Sequence, residues 1–122
     1  MKRRTFRQLR ARSSESAHHH NVYVVQLAPE VARLRRVRAE NPNRNPAKAC
    51  VYVGMTGLAP EERFANHKQG IKSAGVVKRY GVRLLPKLFA HLNPMPFEAA
   101  AAMERDLAED LRAQGYTVTG GH

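Results

Sequence analysis

Ala49-Cys50-Val51-Tyr52-Val53-Gly54-Met55-Thr56-Gly57-Leu58-Ala59-Pro60-Glu61-Glu62-Arg63-Phe64-Ala65-Asn66-His67 changes pattern within nineteen residues, from an apolar run to a helix opening. Cys50 to Val53 has the β-branched and aromatic make-up of a buried strand. Gly54 to Gly57 reads as a turn, and Pro60-Glu61-Glu62 then opens a helix. Proline fits the first helical position, and acids suit the positive end of the helix dipole. Gly70 is the expected stop. Arg63 and His67 lie four apart, so both project from one face of that helix, just beyond a strand that carries a tyrosine.

Upstream, Val22-Tyr23-Val24-Val25-Gln26-Leu27 predicts the first core strand. Between the strands, Pro29-Glu30 opens a short amphipathic helix through Val31, Leu34 and Val37 that exposes Arg33, Arg35, Arg36 and Arg38. Asn41-Pro42-Asn43-Arg44-Asn45-Pro46 has loop composition. Downstream, Val82 to Leu85 reads as a third strand, Pro86 to Leu92 as a short helix and Asn93 to Pro96 as a linker. The alanine-rich stretch from Phe97 to Gln114 predicts a long helix with Ala99, Ala100, Met103, Leu107 and Leu111 on its inner face. Tyr116 to Val118 follows as a short edge strand. The fold class expected is α+β, with a small three-stranded antiparallel sheet flanked by helices.

At 122 residues the chain is sized for one domain. Its 21 Lys and Arg against 10 Asp and Glu give a net charge of +11, which calls for a polyanionic partner. Nucleic acid is the first candidate; a ribosome-associated role, an anionic membrane surface or a plainly solvated basic face would give the same balance. No apolar run reaches the roughly 20 residues of a spanning helix, and no apolar stretch follows the basic start as in an export signal, so a cytoplasmic location is expected. Residues 1–20 read as a basic flexible arm, with Lys2, Arg3, Arg4, Arg7, Arg10 and Arg12 ahead of His18-His19-His20. That arm serves either as a phosphate-tracking extension or as a solubilising leader, and its histidine run either holds a metal or is incidental. Cys50 has no internal partner for a disulfide and suits core packing.

Phosphodiester hydrolysis needs an activated water, positive charge at the phosphoryl oxygens and help for the leaving oxygen. Tyr52-Val53-Gly54, with Arg63 on the next helix, resembles the second half of the GIY-YIG nuclease motif. Val22-Tyr23-Val24 takes the place of Gly-Ile-Tyr, with the tyrosine one position early. Glu98-Ala99-Ala100-Ala101-Ala102-Met103-Glu104-Arg105-Asp106-Leu107 is similar to the family's later helix and points to Glu104. The resemblance covers about residues 22 to 118 and makes 21–122 one nuclease-like domain with an Arg-rich insertion at about 28–48.

What the resemblance implies is a metal-dependent endonuclease, acting on DNA rather than RNA. One tyrosine, Tyr23 or Tyr52, assists water activation; Arg63 steadies the phosphate charge; His67 contacts phosphate or aids proton transfer; Glu104 holds a single Mg²⁺ or Mn²⁺. Arg33, Arg35, Arg36, Arg38 and Lys68 are the expected nucleic-acid contacts, and a partner protein or domain is an expected source of targeting. Two departures stand out: Met55 occupies a position where many relatives carry lysine, and the first triplet is degraded. The alternative is an inactive binding module that keeps the fold; a third reading is a basic structural protein whose tyrosines are only core residues. The third predicts that Tyr52, Arg63 and Glu104 stay apart in the fold.

Overall fold

The computed structural model describes residues 18–122. Most of the expected arm, residues 1–17, lies outside the described residues; of the histidine run, His20 pairs with Met95 in an isolated bridge.

The sheet grows from two apolar runs. β1 (Asn21–Leu27) and β2 (Cys50–Thr56) pair antiparallel, with Tyr23 opposite Gly54 and Val25 opposite Tyr52. Val22, Val24, Val51 and Val53 on one face, and Tyr23, Val25 and Leu27 on the other, are all buried, so helices must cover both faces. β3 (Gly81–Leu84) joins the free edge of β1, antiparallel. β4 (Thr117–Gly120) joins the free edge of β2, parallel, and gives the order β3-β1-β2-β4. The sheet therefore has four strands and is mixed, correcting the expected three antiparallel strands. The long last helix returns the chain to the start of β2, so a strand after it enters parallel.

The Pro29 segment divides into a 3-10 turn, Pro29–Arg33, and α1 (Arg35–Glu40), because extended Leu34 interrupts the helical path. α2 (Pro60–Gln69) starts on its proline and stops at left-handed Gly70. α3 (Gly75–Tyr80) follows and was not expected from the sequence. β2 continues to Thr56, through the glycine read as a turn. The 86–92 stretch forms two 3-10 turns, Pro86–Leu88 and Ala90–Leu92, in place of one helix. α4 (Phe97–Ala113) packs Ala99, Ala100, Met103, Leu107 and Leu111 into the core, against β1, β2 and β4. Fully burying an aliphatic side chain of this kind contributes roughly 1.5–3 kcal/mol. Among the described residues no helix is long and apolar enough to cross a membrane.

Candidate active site

The pairing of β1 with β2 fixes the first two residues of the site. Directly opposed residues in an antiparallel pair share a face, and alternate residues along a strand do too, so Tyr23 and Tyr52 project to the same side. Had the tyrosine stood at position 22 or 24, it would face the other way. The two rings lie 6.2 Å apart between centroids. Gly54 makes this possible: a Cβ there would sit 2.5 Å from the Tyr23 hydroxyl. The glycine after Tyr52-Val53 is thus the floor on which the other tyrosine lies.

α2 brings His67 over the pair, with ring centroids 6.0 Å from Tyr23 and 5.8 Å from Tyr52. His67 is fully buried. The backbone N–H of Ala74 donates to His67 Nδ1 at 3.0 Å. A nitrogen that accepts carries no proton, so the neutral ring holds its proton on Nε2, which lies 2.8 Å from Tyr23 Oη. Burial and the Arg63 charge lower the His67 pKa to about 4, so the ring is neutral at pH 7 and Nε2–H donates to Tyr23. The Tyr23 oxygen accepts that bond, leaving its own O–H for another partner. Burial raises the Tyr52 phenol, and hydrogen bonding with Tyr23, its neighbour on the same face, opposes that rise. Amide and imidazole thus donate in one direction, toward the Tyr23 oxygen, which stands beside Tyr52.

The two phenols differ in access. Tyr23 is 1 % exposed, whereas Tyr52 is half-buried and reaches solvent. Burial raises both; the Glu104 carboxylate raises both as well, and Arg63 opposes it. Arg63 is itself held from the far side, its guanidinium donating to the carbonyls of Ile71 (3.3 Å) and Lys72 (2.8 Å). It lines a cleft of about 330 Å³ with Thr56, Asn66 and Lys72.

Glu104, on α4, is half-buried, and burial pushes its carboxyl up to about 7, with Arg105 pulling the other way. Arg63 on α2 and Glu104 on α4 thus act on both phenols, and Arg63 also acts on His67. Among the described residues no group of three or more His, Cys, Asp or Glu gathers. A cation here would have one protein carboxylate and take its remaining ligands from water and substrate oxygens, a coordination that suits Mg²⁺. The Arg105 charge offsets the burial of this carboxyl only in part, and a divalent cation would offset more of it.

The expected nucleic-acid contacts fall elsewhere. Arg33, Arg35, Arg36 and Arg38 are exposed around α1. Lys68 is exposed too, but its ammonium donates to the carbonyls of Lys78 (3.1 Å) and Gly81 (2.9 Å), bracing α2 against β3. Met55 is half-buried against the core. His122 is exposed. Two members of the site were missed in the sequence: the Ala74 amide, a backbone group with no residue signature, and the contact of Gly54 with Tyr23, which needs the register. No protein-family model, curated protein sequence or solved structure matches this chain significantly.

Proposed function

We propose that this chain is a cytoplasmic, metal-dependent endonuclease of the GIY-YIG type that hydrolyses phosphodiester bonds in DNA. One observation carries the reading: a phenol that reaches solvent stands beside a second phenol held by a directed hydrogen-bond chain, with an anchored arginine and a half-buried carboxylate acting on both. A core tyrosine needs none of these neighbours.

Tyr52 is the proton acceptor. An ordinary phenol, with a pKa near 10, holds its proton at neutrality, so the phenolate must be stabilised. Burial and the Glu104 carboxylate raise the Tyr52 phenol, and Arg63 and Tyr23 only oppose them, so the base would draw on the added positive charge of a cation on Glu104, while His67 donates to the Tyr23 oxygen. As the phenolate takes a proton from water, the water oxygen attacks phosphorus, the P–O bond to the leaving oxygen breaks and that oxygen takes a proton from solvent water. Arg63 stabilises the negative charge that builds on the phosphoryl oxygens. Glu104 would hold a divalent cation, Mg²⁺ or Mn²⁺, which would supply further positive charge to the phosphate. Tyr23 and His67 are positioning residues; Tyr52 and Arg63 touch the reacting groups.

The reading is tested by incubating the protein with supercoiled plasmid and branched DNA, in Mg²⁺ and in chelator. Nicking that requires the cation is expected. Absence of cleavage on every substrate, with salt-sensitive DNA binding intact, would select the inactive binding module instead.

A further inference from the structure

At the Leu27–Cys50 end of the sheet, two clefts of about 470 and about 630 Å³ adjoin; Gln26, Lys48 and Ala49 line both. Arg33, Arg38 and Arg44 border the first, Arg83 and Lys87 the second, and Lys48 stands at the junction. Among the described residues no acidic residue lines either cleft. These cations come from separate stretches of chain: the α1 region, the 41–49 loop, β3 and the 3-10 turn after it. A solvated helix face puts its charges in a row on one element. Here the fold gathers like charges into a concavity, an arrangement whose self-repulsion a polyanion relieves.

The floor of the second cleft is apolar. Leu84, Leu85, Leu88 and Tyr116 line it, and the Lys48 ammonium lies 5.0 Å from the Tyr116 ring centre. Clefts of this size take small-molecule-sized groups, which a nucleotide is and a stacked duplex is not. Apolar and aromatic floors meet base faces, and cationic rims meet phosphates. We propose that this trough binds a single-stranded nucleic-acid segment, its phosphates on the basic rim and a base against Tyr116 and the leucines. The site is distinct from the Tyr52 cluster: its lining shares no residue with the cleft beside Arg63, and Leu27 and Cys50 lie four residues along the ladder from Tyr23 and two from Tyr52, about 13 and about 7 Å at strand spacing. Binding there does not depend on cleavage.

The test is fluorescence anisotropy of the full chain, in chelator, with a labelled single-stranded oligonucleotide and its duplex. The variants are Lys48→Glu with Lys87→Glu in the trough, and Lys78→Glu with Arg79→Glu on exposed α3 as a charge-matched control. The trough pair is expected to weaken single-strand binding at least tenfold and to lower the salt slope by about 1.4, two phosphate contacts at ~0.7 each. The control pair is expected to weaken it less than threefold. Tyr116→Ala, with circular dichroism to confirm folding, is expected to weaken single-strand binding about fivefold or more and duplex binding hardly at all. Equal losses in the trough and control pairs would overturn the proposal. So would a duplex bound more tightly than the single strand with the same sensitivity to the trough pair, or a poly-glutamate peptide of equal charge that competes as well as the oligonucleotide.

Discussion

Tyr52 and Tyr23 are the same residue type on the same face of one sheet, and the fold gives them different work. Tyr52 reaches solvent beside Tyr23, whose hydrogen bonding opposes the rise that burial gives the Tyr52 phenol; Tyr23 is buried and accepts from His67. Tyr52→Phe is expected to lower kcat by about 10²–10⁴-fold, the usual share of a general base. Tyr23→Phe is expected to lower it by roughly 10–100-fold, the worth of one hydrogen bond to a charged group. It should also displace the rise of rate with pH to higher pH, because the Tyr52 phenol loses a group that lowers it. A pH–rate profile of each variant checks both, and identical losses with an unmoved profile would contradict the division of roles.

His67 titrates near 6.5 in the unfolded chain, but its native site refuses the proton until about pH 4. Between these values the unfolded chain binds more protons, so stability is at its full value above about pH 6.5 and falls as the pH drops toward 4, by up to about 3 kcal/mol. Thermal melts from pH 7 to 4.5 should show this loss in the parent and a smaller one in His67→Gln. The sequence made His67 a candidate by its spacing from Arg63, since both lie on one helix. It did not give the Tyr23 bond, which joins residues 44 apart and depends on the β1–β2 register.

Elements are tied together here by two asparagines that composition assigns to loops. Asn41, buried after α1, donates from Nδ2 to the carbonyls of Val37 (2.7 Å) and Val118 (2.9 Å), and its Oδ1 accepts from Val118 N–H (2.8 Å). It serves β4 on the edge where a further strand would pair. Asn93 does the same for β1, accepting from Val22 N–H (2.9 Å) and donating to Val22 O (2.8 Å). Asn41→Ala leaves buried backbone groups unpaired and is expected to cost about 2–4 kcal/mol, measurable by urea denaturation. A cost below about 0.5 kcal/mol would show that water replaces the side chain.

The strands and helices with strong local patterns were legible: β1, β2, α2 and α4 begin or end within a few residues of where composition and capping place them. α3 was not, because Gly75-Val76-Val77-Lys78-Arg79-Tyr80 is short, glycine-led and β-branched, and its packing on α2 and β1 decides its form. Nor was the parallel pairing of β4, since direction of pairing is a property of the whole chain path.

At the scale of the molecule, part of the basic charge of the described residues is gathered in one place. A basic trough gathers at the Leu27–Cys50 end, and a half-buried carboxylate, an anchored arginine and a pair of phenols gather farther along the same sheet. The bulk charge was legible as a sign of a polyanionic partner; its arrangement was not, because Lys48, Arg83 and Lys87 are scattered in sequence and meet only through the sheet. The most direct measurement is the rate of supercoiled-plasmid nicking in Mg²⁺ by the parent, Glu104→Ala and Arg63→Ala. The parent is expected to nick, and each variant to lose at least 10²-fold while keeping DNA affinity within threefold, since removing one group that stabilises transition-state charge commonly costs that much. Nicking that persists in both variants, or a parent that does not nick at all, would contradict the assignment of this cluster as a hydrolytic site.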